Sequence, residues 1–424
     1  MAIAAIAIFV GAYVLLVTEK VHRTAVALGG ASLMLLLRIT DSEHAFFSEE
    51  TGIEWNVIFL LLGMMMIVAV LRQTGVFEYV AIWSAKRTRG RPYQLMVMLC
   101  VLTAVASALL DNVTTILLIA PVTFLVCQRL DLRPTPYLMA EVFASNIGGA
   151  ATLVGDPPNI IIAARGDLSF NDFLVHLAPI VVVLIVAFCL LCRWLFRREF
   201  RYDAERAASV MLLNEREAIT NPGLLVKSLA VLALVIAAFV LHPVLHYEPS
   251  VVALLGAGLL LLITEVEVSD ALREVEWPTL AFFAGLFVMV GGLVEAGVIG
   301  RVAEATADAT EGRLGLATFG LLGGSALISA IVDNIPYVAT MSPIVAELVA
   351  AQHGDGQVLW WALALGADLG GNATAIGASA NVVALGIADR EGHHIGFWEF
   401  TKYGLVVTAV TVTLCMPYLW LRYL

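Results

Sequence analysis

The strongest constraint on this chain is that it repeats itself: Asp111-Asn112 recurs as Asp333-Asn334, an offset of 222 residues. At that same offset Glu54-Trp55 recurs as Glu276-Trp277, Gly63 as Gly285, Gly75-Val76 as Gly297-Val298 and Pro121 as Pro343. Gly148-Gly149 becomes Gly370-Gly371, and Thr152, Gly155 and Asn159 become Thr374, Gly377 and Asn381. Chance does not hold one register without a gap from position 54 to position 159. The chain therefore reads as two copies of one unit, residues 1–196 and 223–424, around a polar linker at 197–222.

Each copy is too apolar to fold in water. The 424 residues are 60% hydrophobic and 14% charged, with mean hydropathy +0.90. A soluble domain is about half apolar and about a quarter charged. Runs of about 20 apolar residues are long enough to cross a bilayer as helices, so the fold class is an all-α polytopic membrane protein. Helices are expected at 3–17, 23–38, 54–72, 137–163 and 173–196, and again at 226–242, 249–264, 277–295, 358–388 and 403–422. The segments 93–128 and 315–350 are each broken at the centre by an Asp-Asn pair. The first run, Ala2 to Val17, has no Lys or Arg before it, and Glu19, Lys20 and Arg23 follow it where a cleavage site would be small residues. It reads as a membrane helix and not as a secretory signal.

Basic residues set the expected topology. If 93–128 and 315–350 are re-entrant hairpins, each copy crosses five times and the copies insert upside down relative to each other. With both termini extracellular, all but Arg38, Arg165, Arg301, Arg313 and Arg422 of the 24 Lys and Arg fall on the cytoplasmic side. Lys86, Arg87, Arg89 and Arg91 precede the first hairpin, and Arg193, Arg197, Arg198 and Arg201 stand at the linker. That bias fits the positive-inside rule, in the cytoplasmic membrane. Letting 93–128 cross twice puts the linker's basic residues outside. The expected fold is thus two inverted repeats, about ten transmembrane helices and two re-entrant hairpins.

The interruptions carry the chemistry. In "SNIGGAATLVGDPPNIII", Gly148, Gly149, Gly155, Pro157 and Pro158 together cannot sustain a helix. Unpaired backbone persists at membrane depth only where it lines a polar cavity. Unwound carbonyls attract cations, and the half-helix that follows presents a positive end. Short polar side chains at Asp111, Asn112, Thr114 and Thr115 suit the cap of a hairpin's second arm. The expected site comprises these four with Gly148, Gly149, Thr152, Asp156 and Asn159. The second copy adds Asp333, Asn334, Asp368, Gly370, Asn372, Thr374 and Asn381. Carboxylates inside a membrane are functional candidates by default, and Asp111, Asp333 and Glu141 are the expected proton carriers.

Paired broken helices in inverted repeats are the architecture of secondary transporters. An ATPase is excluded within the chain, because Lys20, Lys86, Lys227 and Lys402 never follow a glycine as a P-loop requires. An ion gradient, or a separate ATPase subunit, must supply the energy. Discontinuous hairpins also build channel filters, so a passive channel stays open as an alternative. No nucleophile–base pair suggests an enzyme, and nothing points to nucleic acid. Among the cysteines only Cys189 and Cys192 are close; small buried thiols are common in such helices, so no metal site or cofactor is read. The implied partners are the lipid bilayer, a transported solute and a coupling ion, H⁺ or Na⁺.

"LLDNVTTILLIAPV" followed by "GGAATLVGDPPNIII" resembles the ion transporter superfamily, nearest its arsenite permease/NhaD-type, P-protein-like branch with a citrate-transporter-like domain. "DNIPYVATMSP" and "GGNATAIGASANVVALGIAD" are similar to the second-half motifs of that group. The resemblance spans essentially the whole chain and implies a possible homodimer and an elevator-like movement of the hairpin-bearing domain. The dicarboxylate branch carries Ser-Asn-Thr at the hairpin tips, where this chain has Asp111-Asn112-Val113 and Asp333-Asn334-Ile335. Two fixed negative charges repel a di- or tricarboxylate by about a few kcal/mol per close pair at intermediate dielectric. They suit a small inorganic ion or a neutral oxyacid. The expected function is proton-coupled efflux of arsenite or an inorganic ion. Na⁺/H⁺ antiport and citrate-type anion transport are the alternatives.

Overall fold

The computed structural model describes residues 1–18, 20–48, 51–200, 202–211, 214–309, 313–352 and 355–424. Glu19 and Arg201 lie outside them. The described residues are all-helical in their regular structure, and the fold is that of an all-α polytopic membrane protein.

The principal helices of the first half are α1 (Ala2–Thr18), α2 (Arg23–Leu36), α3 (Trp55–Arg72), α4 (Val76–Arg87), α5 (Pro92–Leu109), α6 (Asn112–Leu130), α7 (Pro134–Gly149), α8 (Pro157–Gly166) and α9 (Ala178–Leu195). Those of the second half are α10 (Pro222–Val240), α11 (Pro249–Ile263), α12 (Trp277–Glu295), α13 (Val298–Ala309), α14 (Leu314–Ser329), α15 (Asn334–Ala351), α16 (Val358–Gly370), α17 (Ser379–Arg390) and α18 (Phe397–Tyr423). Each of α1–α9 has its counterpart nine labels later. Among the described residues, seven helices are long and apolar enough to cross a membrane alone: α3, α5, α6, α9, α10, α12 and α18. Proline opens α5, α7, α8, α10 and α11, where its missing N–H costs nothing and its fixed φ suits the first turn.

Packing is exchanged between the halves. Helix α2 packs on α12 and α11 packs on α3, while α6 packs on α17 and α15 on α8. The first exchange is a backbone contact. A Cβ on Gly63 would lie 2.6 Å from Ala253 C, and one on Gly285 would lie 2.7 Å from Ala27 C. Within each half, α5 lies along α7 and α14 along α16. There a Cβ on Gly148 would meet Ala104 O at 2.3 Å, and one on Gly370 would meet Ala326 O at 2.6 Å.

Four parts of the chain depart from the sequence expectation. Helices α4 and α13 were not expected. Each is short and polar on one side, and each braces the second arm of its hairpin, α6 or α15. The segment 173–196 is divided into a short helix Phe170–His176 and α9. The linker holds a helix Ala204–Met211 and a 3₁₀ turn Glu215–Ala218. It is tied to the first half by Lys86–Glu215 at 2.5 Å and Arg206–Asp131 at 3.1 Å.

Candidate functional site

Four chain breaks meet at the centre of the molecule: the hairpin tips at Asp111 and Asp333 and the loops joining α7 to α8 and α16 to α17. The breaks are stabilised by the same bonds in both halves. Ser107 Oγ donates to Ser145 O at 2.8 Å, and Ser329 Oγ to Ala367 O at 2.6 Å. Thr152 Oγ1 donates to Ala108 O and Thr374 Oγ1 to Ala330 O, each at 2.5 Å. The carbonyls left open by the interrupted helices find donors one step down the chain. Asn159 Nδ2 reaches Gly149 O at 3.3 Å and Thr152 O at 3.2 Å; Asn381 Nδ2 reaches Gly371 O at 2.7 Å and Thr374 O at 2.8 Å. Four carbonyls of the unwound stretches thus accept from asparagines.

The hairpin tips divide their work. Asp111 caps α6, accepting from Thr114 N at 2.8 Å and from Thr114 Oγ1. Asp333 caps α15, accepting from Ile335 N at 3.0 Å and from Ser379 Oγ at 2.6 Å. Arg23 of α2 donates to that same Ser379 Oγ at 2.6 Å and to Thr279 Oγ1 at 3.0 Å. The aspartates turn to the flanks, and the asparagines beside them turn inward.

At the centre, Asn112 Nδ2 donates to Asp156 Oδ2 at 2.7 Å and to Asn146 Oδ1 at 3.1 Å. Asn334 Nδ2, its counterpart, stands 3.4 Å from both oxygens of the same Asp156. Asn146 Nδ2 donates across the halves to Asn372 Oδ1 and Asn381 Oδ1, both at 2.9 Å. Asp156, Asn146, Asn159, Asp368, Asn372 and Asn381 are fully buried, and Asn112 and Asn334 nearly so. This buried polar cluster contains no Lys, Arg or His among the described residues. Its symmetry is broken at three positions: Asn146 matches Asp368, Ala150 matches Asn372, and Asp156 matches Ala378.

The remaining expected residues fall around this centre. Gly148, Gly149 and Gly370 allow the close crossings; a Cβ on Gly149 would lie 2.6 Å from Gly155 O. Thr115 is buried on α6 with its hydroxyl unpartnered. Glu141 stands apart: it accepts from Thr123 Oγ1 at 2.6 Å. Thr123 is roughly 16 Å along α6 from the tip, at 1.5 Å per residue. Asn146 and Arg23 were not among the expected residues. The repeat offset pointed to Asn146 as the counterpart of Asp368, whereas nothing in the motifs pointed to Arg23.

Two hollows flank the tips. A cavity of about 340 Å³ beside Asp333 is lined by Arg23, Phe282, Pro336 and Ser379. One of about 90 Å³ lies beside Thr114 between Met65, Arg72, Glu274 and Glu276, where Arg72 and Glu274 pair at 2.8 Å. The larger pockets, at the linker and near Trp361, lie away from the cluster.

Comparison with known proteins agrees with this architecture. The chain is 60% identical over 425 residues to an uncharacterized transporter of Mycobacterium tuberculosis, covering 100% of this chain and 99% of that one. It is 36% identical over 499 residues to the P protein of Homo sapiens, covering 98% of this chain but 59% of that protein. The solved structure of the YdaH transporter of Alcanivorax borkumensis shares the fold at a TM-score of 0.63 and 15% identity, over 98% of this chain and 97% of that one. The family model described as citrate transporter (CitMHS) matches residues 13–366. On that match, and on the two-half architecture that carries it, the chain belongs to the citrate transporter family of multi-pass membrane transporters.

Proposed function

We propose that the protein is a secondary active carrier in which protons or sodium ions drive a small inorganic ion or neutral oxyacid, such as arsenous acid, out of the cell. One observation carries this reading: two wholly buried carboxylates, Asp156 and Asp368, stand in a cluster of carboxamides with no basic side chain. Buried charge of one sign demands a compensating partner, and a mobile cation is one that a carrier can exchange. Neutral hydroxyl-bearing solutes find donors and acceptors there without adding charge.

The exchanged packing supports a moving body. Helices α5–α8 and α14–α17 interlock through α6–α17 and α15–α8, and α2, α3, α11 and α12 interlock chiefly with one another; the two groups meet at α12–α15, at α3–α8 and at the Arg23–Ser379 bond. Sliding the first group against the second would carry the cluster between membrane faces. The unequal hollows beside the two tips, about 340 and 90 Å³, accord with access from one flank at a time.

Citrate, the cargo in the family description, is the second reading. Its carboxylates would face Asp156 and Asp368 and require a bound cation between them. The test is flux into proteoliposomes holding the purified protein, with arsenite, ²²Na⁺ and citrate compared under an imposed pH gradient and with sodium present or absent. Saturable arsenite or sodium flux that reverses with the gradient is the expected result. Citrate flux alone overturns the first reading, and gradient-independent flux at channel-like rates overturns both.

A further inference from the structure

The two central carboxylates are not equivalent, although the repeat suggests a matched pair. Asp156 has a donor on each side. It receives Asn112 Nδ2 on one side and Asn334 Nδ2 on the other, so one carboxylate joins the tips of both hairpins. Asp368 is fully buried, and neither of its oxygens has a hydrogen-bond partner. Asn159 is the polar side chain that faces it, yet the Nδ2 of Asn159 meets full hydrogen-bond geometry with the carbonyls of Gly149 and Thr152, at 3.3 and 3.2 Å, and not with Asp368. The Oδ1 of Asn159 is also buried and unpartnered.

From this asymmetry we propose that Asp368 holds the exchangeable coupling cation, a proton or a sodium ion, while Asp156 is a fixed acceptor that locks the hairpin tips together. A carboxylate that accepts amide hydrogens from two directions has its charge dispersed and gains little from a cation. One that is fully buried with both oxygens bare needs a counter-charge or a proton. The free oxygens of Asp368 and Asn159 offer an oxygen-only ligand set, which suits a hard monovalent cation and no soft metal. This proposal rests on the carrier reading above and assigns its coupling step to one residue.

The charged surroundings of Asp368 are sparse. Of the helices packed on α16, α14 has no ionisable side chain. On α15, Tyr337 is bonded to Ser325 Oγ, and Glu347 lies toward the far end of the arm. Helix α7 brings Tyr137 and Glu141, the latter bonded to Thr123. Helix α8 brings Arg165, paired with Glu54 at 3.2 Å, and Asp156 at its N-cap. On α18, Glu399, Lys402 and Arg422 are exposed, and the rest are phenols and a thiol. Asp156 is therefore the charged neighbour that matters, with Asp111 and Asp333 beyond it at the tips. Asparagine at 368 is compatible with the backbone, because Asn146 occupies the same place in the other half.

The test is thermal unfolding of purified full-length protein in detergent, titrated with NaCl against choline chloride at fixed ionic strength, and separately with pH in choline. Wild type is expected to gain stability with one of the two cations as mass action requires. A sodium response identifies Na⁺, and a pH response without one identifies H⁺. Asp368→Asn is expected to weaken the response at least tenfold in half-saturating concentration. Asp156→Asn is expected to unfold at a lower temperature and to keep the response. No response in wild type, an unaltered response in Asp368→Asn, or its loss only in Asp156→Asn overturns the assignment. Because this readout needs no flux, a cation response without solute transport sinks the carrier reading and leaves the site, while transport without a response does the reverse.

Discussion

Replacing Asn381 by alanine gives the sharpest measure of how the broken helices are held. The side chain donates to Gly371 O at 2.7 Å and Thr374 O at 2.8 Å, and its Oδ1 accepts from Asn146 Nδ2 at 2.9 Å. Asn381→Ala leaves two carbonyls at the α16–α17 break without that donor and removes one of the two acceptors of Asn146. Thr374 O keeps the backbone N–H of Gly377 at 3.3 Å, so Gly371 O is the carbonyl left orphaned, at about 1–3 kcal/mol for one buried group. Asn159, its counterpart, makes the same two bonds at 3.3 and 3.2 Å, at or beyond the long end of good geometry, and its Oδ1 has no partner. Lacking the counterpart of the Asn381–Asn146 bond, Asn159→Ala is therefore expected to cost about 1 kcal/mol less than Asn381→Ala. The assay is SDS titration of the folded protein in mixed micelles, followed by tryptophan fluorescence. A double-mutant cycle between Asn146→Ala and Asn381→Ala should show coupling of about 0.5–3 kcal/mol. Equal costs at 159 and 381, or strict additivity at 146 and 381, would falsify this account of the breaks.

Gly148→Ala and Gly370→Ala drive a methyl group into the backbone of Ala104 and Ala326, and each should lower stability in the same titration by about 1–3 kcal/mol or more; Gly11→Ala, with nothing within 4 Å of the added carbon, should not. Asp111→Asn preserves an N-cap and should keep both the fold and coupled flux within a few-fold, whereas Asp111→Ala should lose about 0.5–2 kcal/mol; abolition of flux by Asp111→Asn would return proton carriage to the hairpin tip. Arg23→Gln cuts charged bonds between α2 and the second tip, and should raise the labelling rate of a cysteine placed in the cavity beside Asp333; an unchanged rate refutes a clamp there. At the linker, the hydrogen bond from Lys86 holds Glu215 below the usual glutamate range. The contribution of this contact is present above the ordinary glutamate pKa of about 4.3 and is lost as pH falls through the lowered one. The exchange protection of the amides of 204–211 and 214–218 should fall below about pH 4, and Glu215→Gln should reproduce that loss of protection at neutral pH.

The two-half plan was legible because the offset of 222 survives wherever a backbone break or a close crossing requires a particular residue, as at Gly63, Gly148 and Asn159. The hairpin tips were legible because an Asp-Asn pair inside a long apolar run has few structural alternatives. Helices α4 and α13 were not legible because each is only 12 residues long and carries charged side chains within its apolar run. Asn146 was hidden inside a motif read for its glycines. Arg23 became relevant only through tertiary contact, since Thr279 and Ser379 lie more than 250 residues away. The orientation of the tips was also beyond sequence: Asp111 and Asn112 are adjacent, and only the capping geometry decides which of them faces inward.

The exchanged clasp, with α2 held by α12 and α11 by α3, bears on how the chain is made. When the ribosome has finished the first 196 residues, α2 and α3 still lack the surfaces that bury them. The leading half must wait in the bilayer for its sequel. Severed at the linker and co-expressed, the two pieces should find each other and rebuild the whole, whereas either one alone should be cleared by membrane proteases.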